Sequence, residues 1–326
     1  MSAITLVEAV NLALKHEMAR DANVVVLGQD VGRDGGVFRA TLGLIDAFGA
    51  QRVIDTPLAE ALIAGMSIGL AAEGLKPVAE IQFAGFGYTI IDQILNHAGR
   101  LRHRTQGRIT CPMVLRTPCG AGIHAPEHHS ESPEAMFAHI PGIRVVYPSS
   151  PRRAYGLLLA AIRDPDPVLF LEPTRLYRLF KEEVEDNGVA LALDQCITLR
   201  EGTDVTLVSW GAMIVETLAA ADTLAAQGIA AEVIDVATLK PLDMDTILAS
   251  VARTGRCVIV SEAARTAGFA GEIAANLADE GLLTLRAPVL RVTGYDIVVP
   301  LARLEQRNMP SIARILEAVK KTLAFS

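Results

Sequence analysis

The stretch L-V-E-A-V-N-L-A-L-K-H-E-M-A-R-D-A-N-V-V-V-L, residues 6–27, decides the fold class. Apolar residues recur at helical spacing from Leu6 to Arg20, and the period then changes to Val24-Val25-Val26-Leu27, an unbroken apolar run. A strand with one wet face alternates, whereas a strand covered on both faces does not, so this run reads as part of a parallel sheet with helices on its faces. Working outward, the change of period repeats: helical patterns at 56–72, 90–103 and 152–163 are interleaved with strand patterns at 77–83, 113–117, 144–147 and 168–171. That rhythm predicts a doubly wound sheet.

Between about 175 and 202 the periodicity is lost, and K-E-E-V-E-D-N-G at 181–188 fits no template. A second α/β series follows, with strands expected at 205–209, 231–236 and 257–261 and helices at 213–226, closed by Gly228, and at 243–253. A length of 326 residues suits two domains. The expected architecture is α/β with two doubly wound domains, 1–175 and 203–326, joined by a linker over 176–202.

Composition agrees and narrows the partners. Hydrophobic residues make up 51% of the chain and aromatics only 5%, so Ala, Leu, Val and Ile must build the core. The net charge is -7 and the basic residues are scattered, which leaves no footprint for nucleic acid or an anionic membrane. No apolar run approaches the roughly 18 residues of a membrane span, and the first residues lack the basic and apolar segments of a signal peptide; a cytoplasmic protein is expected. Cys111, Cys119, Cys196 and Cys257 form no C-x-x-C pair and read as ordinary buried thiols.

Two features suggest chemistry. His124-Ala125-Pro126-Glu127-His128 fits the H-x-x-E-H pattern of inverted zinc peptidases, but that chemistry needs both histidines on one helical face. Pro126 inside the motif and Gly120 and Gly122 before it predict a loop instead. On spacing alone, His124, His128 and His129 are as well read as surface residues without a role as they are a polar cluster at a strand end. Glu60 follows Thr56, a suitable helix cap, and Pro57, suited to a first turn. The helix dipole alone accounts for a glutamate there, and spacing favours that reading. Leu62, Ile63, Ala64, Met66, Ile68, Leu70 and Ala71 nevertheless make the helix apolar all round, which predicts burial and a partner for the carboxylate.

D-T-P-L-A-E at 55–60, E-I-Q-F-A-G-F at 80–86, H-H-S-E-S-P-E-A at 128–135 and P-G-I-R-V-V at 141–146 resemble the beta subunits of the decarboxylating first component of pyruvate and branched-chain 2-oxo acid dehydrogenase complexes. So do V-T-L-V-S-W-G-A and A-E-V-I-D-V-A-T-L-K-P-L-D within 204–243, and the resemblance covers essentially the whole chain. It implies a domain binding the pyrimidine end of thiamine diphosphate, followed by a transketolase C-terminal-like domain. By the same resemblance Glu60 is the glutamate at the pyrimidine N1′, Phe86 the aromatic that packs on the pyrimidine, Leu58 a further cofactor contact and His129 the active-site histidine. A family second-domain potassium site resembles Met113, Ala161, Ile162, Asp164 and Asp166. The carboxylate at N1′ favours the imino tautomer, whose neighbouring nitrogen takes the C2 proton that no ordinary side chain removes unaided.

Thiamine enzymes anchor the diphosphate through magnesium on a G-D-G motif with a later asparagine, and this sequence has no G-D-G. The resemblance assigns that anchor to an alpha subunit, in a heterotetramer of two alpha and two beta chains that serves a lipoyl-bearing acyltransferase. Where relatives commonly read G-E-D-V, this chain reads Gly28-Gln29-Asp30-Val31; Gln29 keeps hydrogen bonding but cannot carry a proton as a carboxylate does. A self-contained transketolase would carry its own diphosphate motif, and a purely structural subunit would not need Glu60. Pyruvate is slightly favoured as substrate, with a branched-chain 2-oxo acid as the alternative suggested by S-P-E-A and F-A-H-I-P-G.

Overall fold

The computed structural model describes residues 2–325, which fall into two compact units, one formed by 1–119 with 136–193 and the other by 120–135 with 194–326. In the first unit the Leu6–Arg20 helix forms where the periodicity predicts it, and its start is fixed by Thr5, whose backbone N–H and hydroxyl both donate to Glu8 at 2.7 Å. The apolar run at 24–27 becomes the wholly buried strand Val24–Gly28. It lies in a parallel sheet whose strands run Arg144–Val146, Val168–Pro173, Val114–Cys119, Lys76–Glu80, Val24–Gly28 and Val53–Asp55 across the unit. Because every pair is parallel, the carboxyl ends of these strands share one edge, where open α/β sheets hold their ligands.

The Pro151–Arg163 helix packs against Leu6–Arg20 on the sheet, and Ser150 caps it by accepting from Arg153 N–H. Two expectations need correction. The pattern at 90–103 is not one α-helix: a 3-10 segment Ala84–Ile90, a π-helical turn Gln93–Ala98 and a short α-helix Gly99–Arg104 succeed one another. Gly99 packs so closely on the 141–143 turn that a Cβ there would come within 2.7 Å of Pro141 O, and such crowding accompanies the change of helical pitch. Within 176–202, moreover, the chain is not structureless: Glu182–Val184 pairs antiparallel with Ser2–Ile4, and Ile197–Arg200 edges the second sheet.

The second unit is built on Leu290–Gly294, Cys257–Ala264, Val205–Ser209 and Ala231–Asp235 in parallel, with Ile197–Arg200 antiparallel at the edge. Its Met244–Thr254 helix starts on Asp243, which accepts from Thr246 N–H at 3.1 Å, and ends on Gly255 in the left-handed conformation. Cys111, Cys119 and Cys257 are buried and Cys196 half-buried, all as free thiols. Burial pushes Cys111 and Cys257 up to about 12, so these thiols are not nucleophiles at neutral pH. Among the described residues no helix is long and apolar enough to cross a membrane.

Candidate active site

Glu60 opens the Glu60–Ala72 helix at the carboxyl edge of the first sheet. The helix begins later than Thr56 and Pro57 suggest. Ala59 occupies the cap position, and the Thr56 hydroxyl turns to Pro57 O at 3.0 Å instead of capping. Burial is also less complete than an apolar helix implies: Ile63, Ala64, Ser67 and Ala71 face inward, whereas Leu58 is 67% and Leu62 49% exposed, and Glu60 itself is half-buried. The partner expected for a buried carboxylate is therefore not required within this chain.

The helix packs against the 3-10 segment that carries Phe86. Phe86 meets Phe83 edge-on at 6.1 Å between ring centroids, Phe83 meets Phe38 at 5.4 Å, and Phe38 meets Tyr177 at 5.0 Å. This aromatic chain leads down to a group of charges that sequence reasoning missed. Arg116, 1% exposed, donates from Nε and Nη2 to the two oxygens of Glu172 at 2.7 Å each and from Nη1 to Glu80; the Tyr177 hydroxyl also donates to Glu172. Desolvation raises the Glu80 carboxyl above its ordinary value against the pull of Arg116, and the neighbouring charge of Glu172 raises it further. A signal was present: Glu80, Arg116 and Glu172 are lone charges near the ends of three otherwise apolar runs, and adjacent strands place them side by side.

His129 lies in the second unit, in the loop that follows Cys119, on the 3-10 turn Glu127–His129. Its N–H donates to Pro126 O at 2.9 Å, and its ring stands 4.1 Å from that of His128. Desolvation, with the proximity of His128, holds the imidazole below its ordinary 6.5 despite Glu127. The turn and the loop around it agree with the non-helical reading of H-A-P-E-H. Ser130 behind it is fully buried, as is Glu134, which accepts from the Trp210 indole N–H at 3.3 Å and whose carboxyl is raised by burial.

Met113, Ala161, Ile162, Asp164 and Asp166 all lie in the first unit. The Pro151–Arg163 helix ends there, so the carbonyls of Ala161 and Ile162 are among those without a helical successor; the Ala161 carbonyl accepts a long 3.4 Å bond from Asp164 N–H. Asp164 and Asp166 pair with Arg144 and Arg102 at 2.8 and 2.7 Å. Carbonyls with two partly screened carboxylates are an oxygen set that fits a monovalent cation. No three His, Cys, Asp or Glu side chains converge as metal ligands among the described residues.

Residues 2–179 match the family model described as transketolase, pyrimidine binding domain, and residues 194–315 that of transketolase, C-terminal domain. The chain is 47% identical over 325 residues to the pyruvate dehydrogenase E1 component subunit beta of Bacillus subtilis, covering 100% of both. It is 46% identical over 321 residues to the subunit of the same name from Acholeplasma laidlawii, covering 98% of each. Among solved structures it is similar to a split gene transketolase described as an inactive beta4 tetramer, with a TM-score of 0.81, 23% identity and 99% of each chain covered, a likeness of fold.

Proposed function

Since the chain belongs to the transketolase-type family of pyruvate dehydrogenase E1 component beta subunits, we propose that it is the beta subunit of a pyruvate dehydrogenase first component, which decarboxylates a 2-oxo acid and acylates the lipoyl group of the second component. The observation that carries this reading is Glu60, an open carboxylate at the start of an apolar helix on the ligand-binding edge of a parallel sheet.

The residues present fit the pyrimidine end of thiamine diphosphate: a carboxylate for the ring N1′, with Phe86 and Leu58 as apolar cover. When bound, the cofactor supplies an acidic ring carbon and an electron sink for loss of carbon dioxide. Glu60 accepts the hydrogen bond from N1′ and holds the proton shared with it, while Phe86, backed by Phe83 and Phe38, fixes the ring plane and excludes water. His129, as a neutral imidazole, takes up or returns a proton during acyl transfer. On this reading residues 1–175 serve the pyrimidine side, 176–202 connect, and 203–326 form the C-terminal domain.

The diphosphate and its magnesium belong to an alpha subunit, in a cytoplasmic assembly of two alpha and two beta chains that serves a lipoyl-bearing acyltransferase. Support comes from the sequence, which lacks G-D-G. Met113, Ala161, Ile162, Asp164 and Asp166 would hold a potassium ion. The test is to co-express the chain with its alpha partner and measure thiamine-dependent decarboxylation of pyruvate and of 2-oxoisovalerate. Pyruvate is the better substrate on this reading, the beta chain alone is inactive, and Glu60→Ala lowers the rate by on the order of 10²-fold or more. An undiminished rate in Glu60→Ala would overturn the assignment of Glu60, and a preference for 2-oxoisovalerate would move the chain to the branched-chain relatives that S-P-E-A at 132–135 resembles.

A further inference from the structure

The loop that bears His129 is held by two glutamates far away in the sequence. It leaves the Val114–Cys119 strand through residues that adopt left-handed backbone, Gly120 at φ 87°, Gly122 at φ 95° and His124 at φ 60°. For His124, a residue with a side chain, that conformation is unfavourable and must be imposed from outside. The base of the loop is closed by Gly120 N–H donating to Glu131 O at 2.8 Å, and the far turn by Ser130 N–H donating to Glu127 O at 2.9 Å. The intervening arm has a different support. Gly122 N–H donates to Glu305 Oε1 at 2.8 Å and His124 N–H to Glu305 Oε2 at 3.1 Å, so each oxygen of one carboxylate takes one backbone donor. Ala121 N–H donates to Glu262 Oε2 at 3.2 Å, and a Cβ on Gly120 would approach Glu262 Oε1 to 2.6 Å.

Glu305 sits in the Ala302–Asn308 helix with its side chain 0% exposed. It accepts these two hydrogen bonds from the loop, and the His124 imidazole lies 3.7 Å from one of its oxygens. A fully buried carboxylate is costly where an apolar side chain would pack as well, so its presence is explained by what it orders. What it orders is the arm from Gly122 to His124, which ends five residues before His129.

We propose that Glu305 is a positioning residue for His129: by chelating the Gly122 and His124 N–H groups it holds the 120–131 loop in the one conformation that presents the imidazole for reaction. The inference rests on His129 acting in the reaction, as set out above. Glu262 is the secondary support, acting at the neck of the same loop.

The test uses the assembled enzyme with its alpha subunit and the lipoyl domain as acceptor. Glu305→Gln replaces one acceptor oxygen by an amide that confronts a backbone N–H, and Glu305→Ala removes both. Displacement of a catalytic group by about 1 Å costs on the order of 10²-fold, so Glu305→Ala is expected to lower kcat by that order and Glu305→Gln by about tenfold, with KM for the 2-oxo acid little changed. The decisive readout is the double variant: in a His129→Ala background, Glu305→Gln produces no further loss. Independent, multiplying losses would mean that Glu305 serves stability alone and would overturn the proposal. If Glu305 variants fail to assemble, Gly122→Ala, which strains the same arm from the loop side, must show the same non-additivity with His129→Ala. A slow His129→Ala beside a fully active Glu305→Ala sinks the proposal and leaves the role of His129 intact; a fully active His129→Ala sinks the reading on which both rest.

Discussion

The Glu60 platform and the His129 loop are held in place by opposite means. Glu60 and Phe86 sit on regular elements that emerge from a parallel sheet, and beneath Phe86 an aromatic chain leads to a buried arginine between two glutamates. His129 sits in a loop whose arm at 121–124 donates backbone N–H groups to carboxylates elsewhere in the second unit. Where strands and helices place a residue, charge is buried for rigidity under the site. Where a loop places it, charge is buried to replace the hydrogen bonds that strands and helices would have made.

The most forceful way to break this contrast is to empty the base of the platform. Arg116→Met leaves Glu80 and Glu172 buried without their cation, and removing one partner of a buried ion pair costs about 3–5 kcal/mol. Urea unfolding of the assembled enzyme should show that loss, with activity falling as the Phe86 support loosens. A change within ±0.5 kcal/mol would mean that the apolar packing alone carries the platform. A companion variant, Arg116→Met with Glu80→Gln and Glu172→Gln, should recover part of the loss, because no unpaired charge then remains.

These two kinds of support were unequally legible in the sequence. Periodicity located the Leu6–Arg20 helix and the strands that position Glu60, because a helix face and a covered strand imprint their period on neighbouring residues. It misplaced the start of the Glu60 helix, since Thr56 and Pro57 satisfy local capping rules that the actual turn does not use. It also read 90–103 as one helix where a π-helical turn and a short α-helix follow each other, because pitch depends on what a helix packs against. The resemblance to known relatives singled out His129 but not its supports. Glu305 lies in a short C-terminal helix, more than 170 positions from the loop it holds, and nothing in its local sequence marks it as buried. Arg116 was readable in principle as a lone charge in an apolar strand, but its partners depend on which strands are neighbours.

A smaller effect sharpens the contrast from the side of the loop. Glu134 is buried, accepting from its own backbone N–H and from the Trp210 indole, and desolvation raises its carboxyl against both bonds. A raised carboxyl means that the folded chain keeps a proton that the unfolded chain releases above its ordinary 4.5. The stability it contributes is complete below that pH and is lost as pH rises through the folded value. Glu134→Gln keeps an acceptor for Trp210 and does not titrate, so its stability relative to the parent should climb by about 1.4 kcal/mol per pH unit across that window. Denaturant midpoints measured from pH 4 to 8 would show the slope, and parallel curves for the two proteins would refute it.

The smallest effect expected concerns His129 itself. Partial desolvation holds its imidazole below 6.5, and the neighbouring His128 ring, 4.1 Å away, pushes in the same direction whenever it is protonated. The neutral form therefore persists to lower pH than that of a free imidazole, and the acid limb of kcat for acyl transfer should fall below 6.5. Substituting His128→Asn removes the like charge while keeping a polar ring-sized group, so the limb should move upward by less than about one pH unit. Glu127→Gln should move it the other way, because Glu127 favours the charged form. Opposite displacements from two neighbours on one turn would tie the limb to His129. A limb unmoved by either would assign it to another group and leave the turn only a structural part.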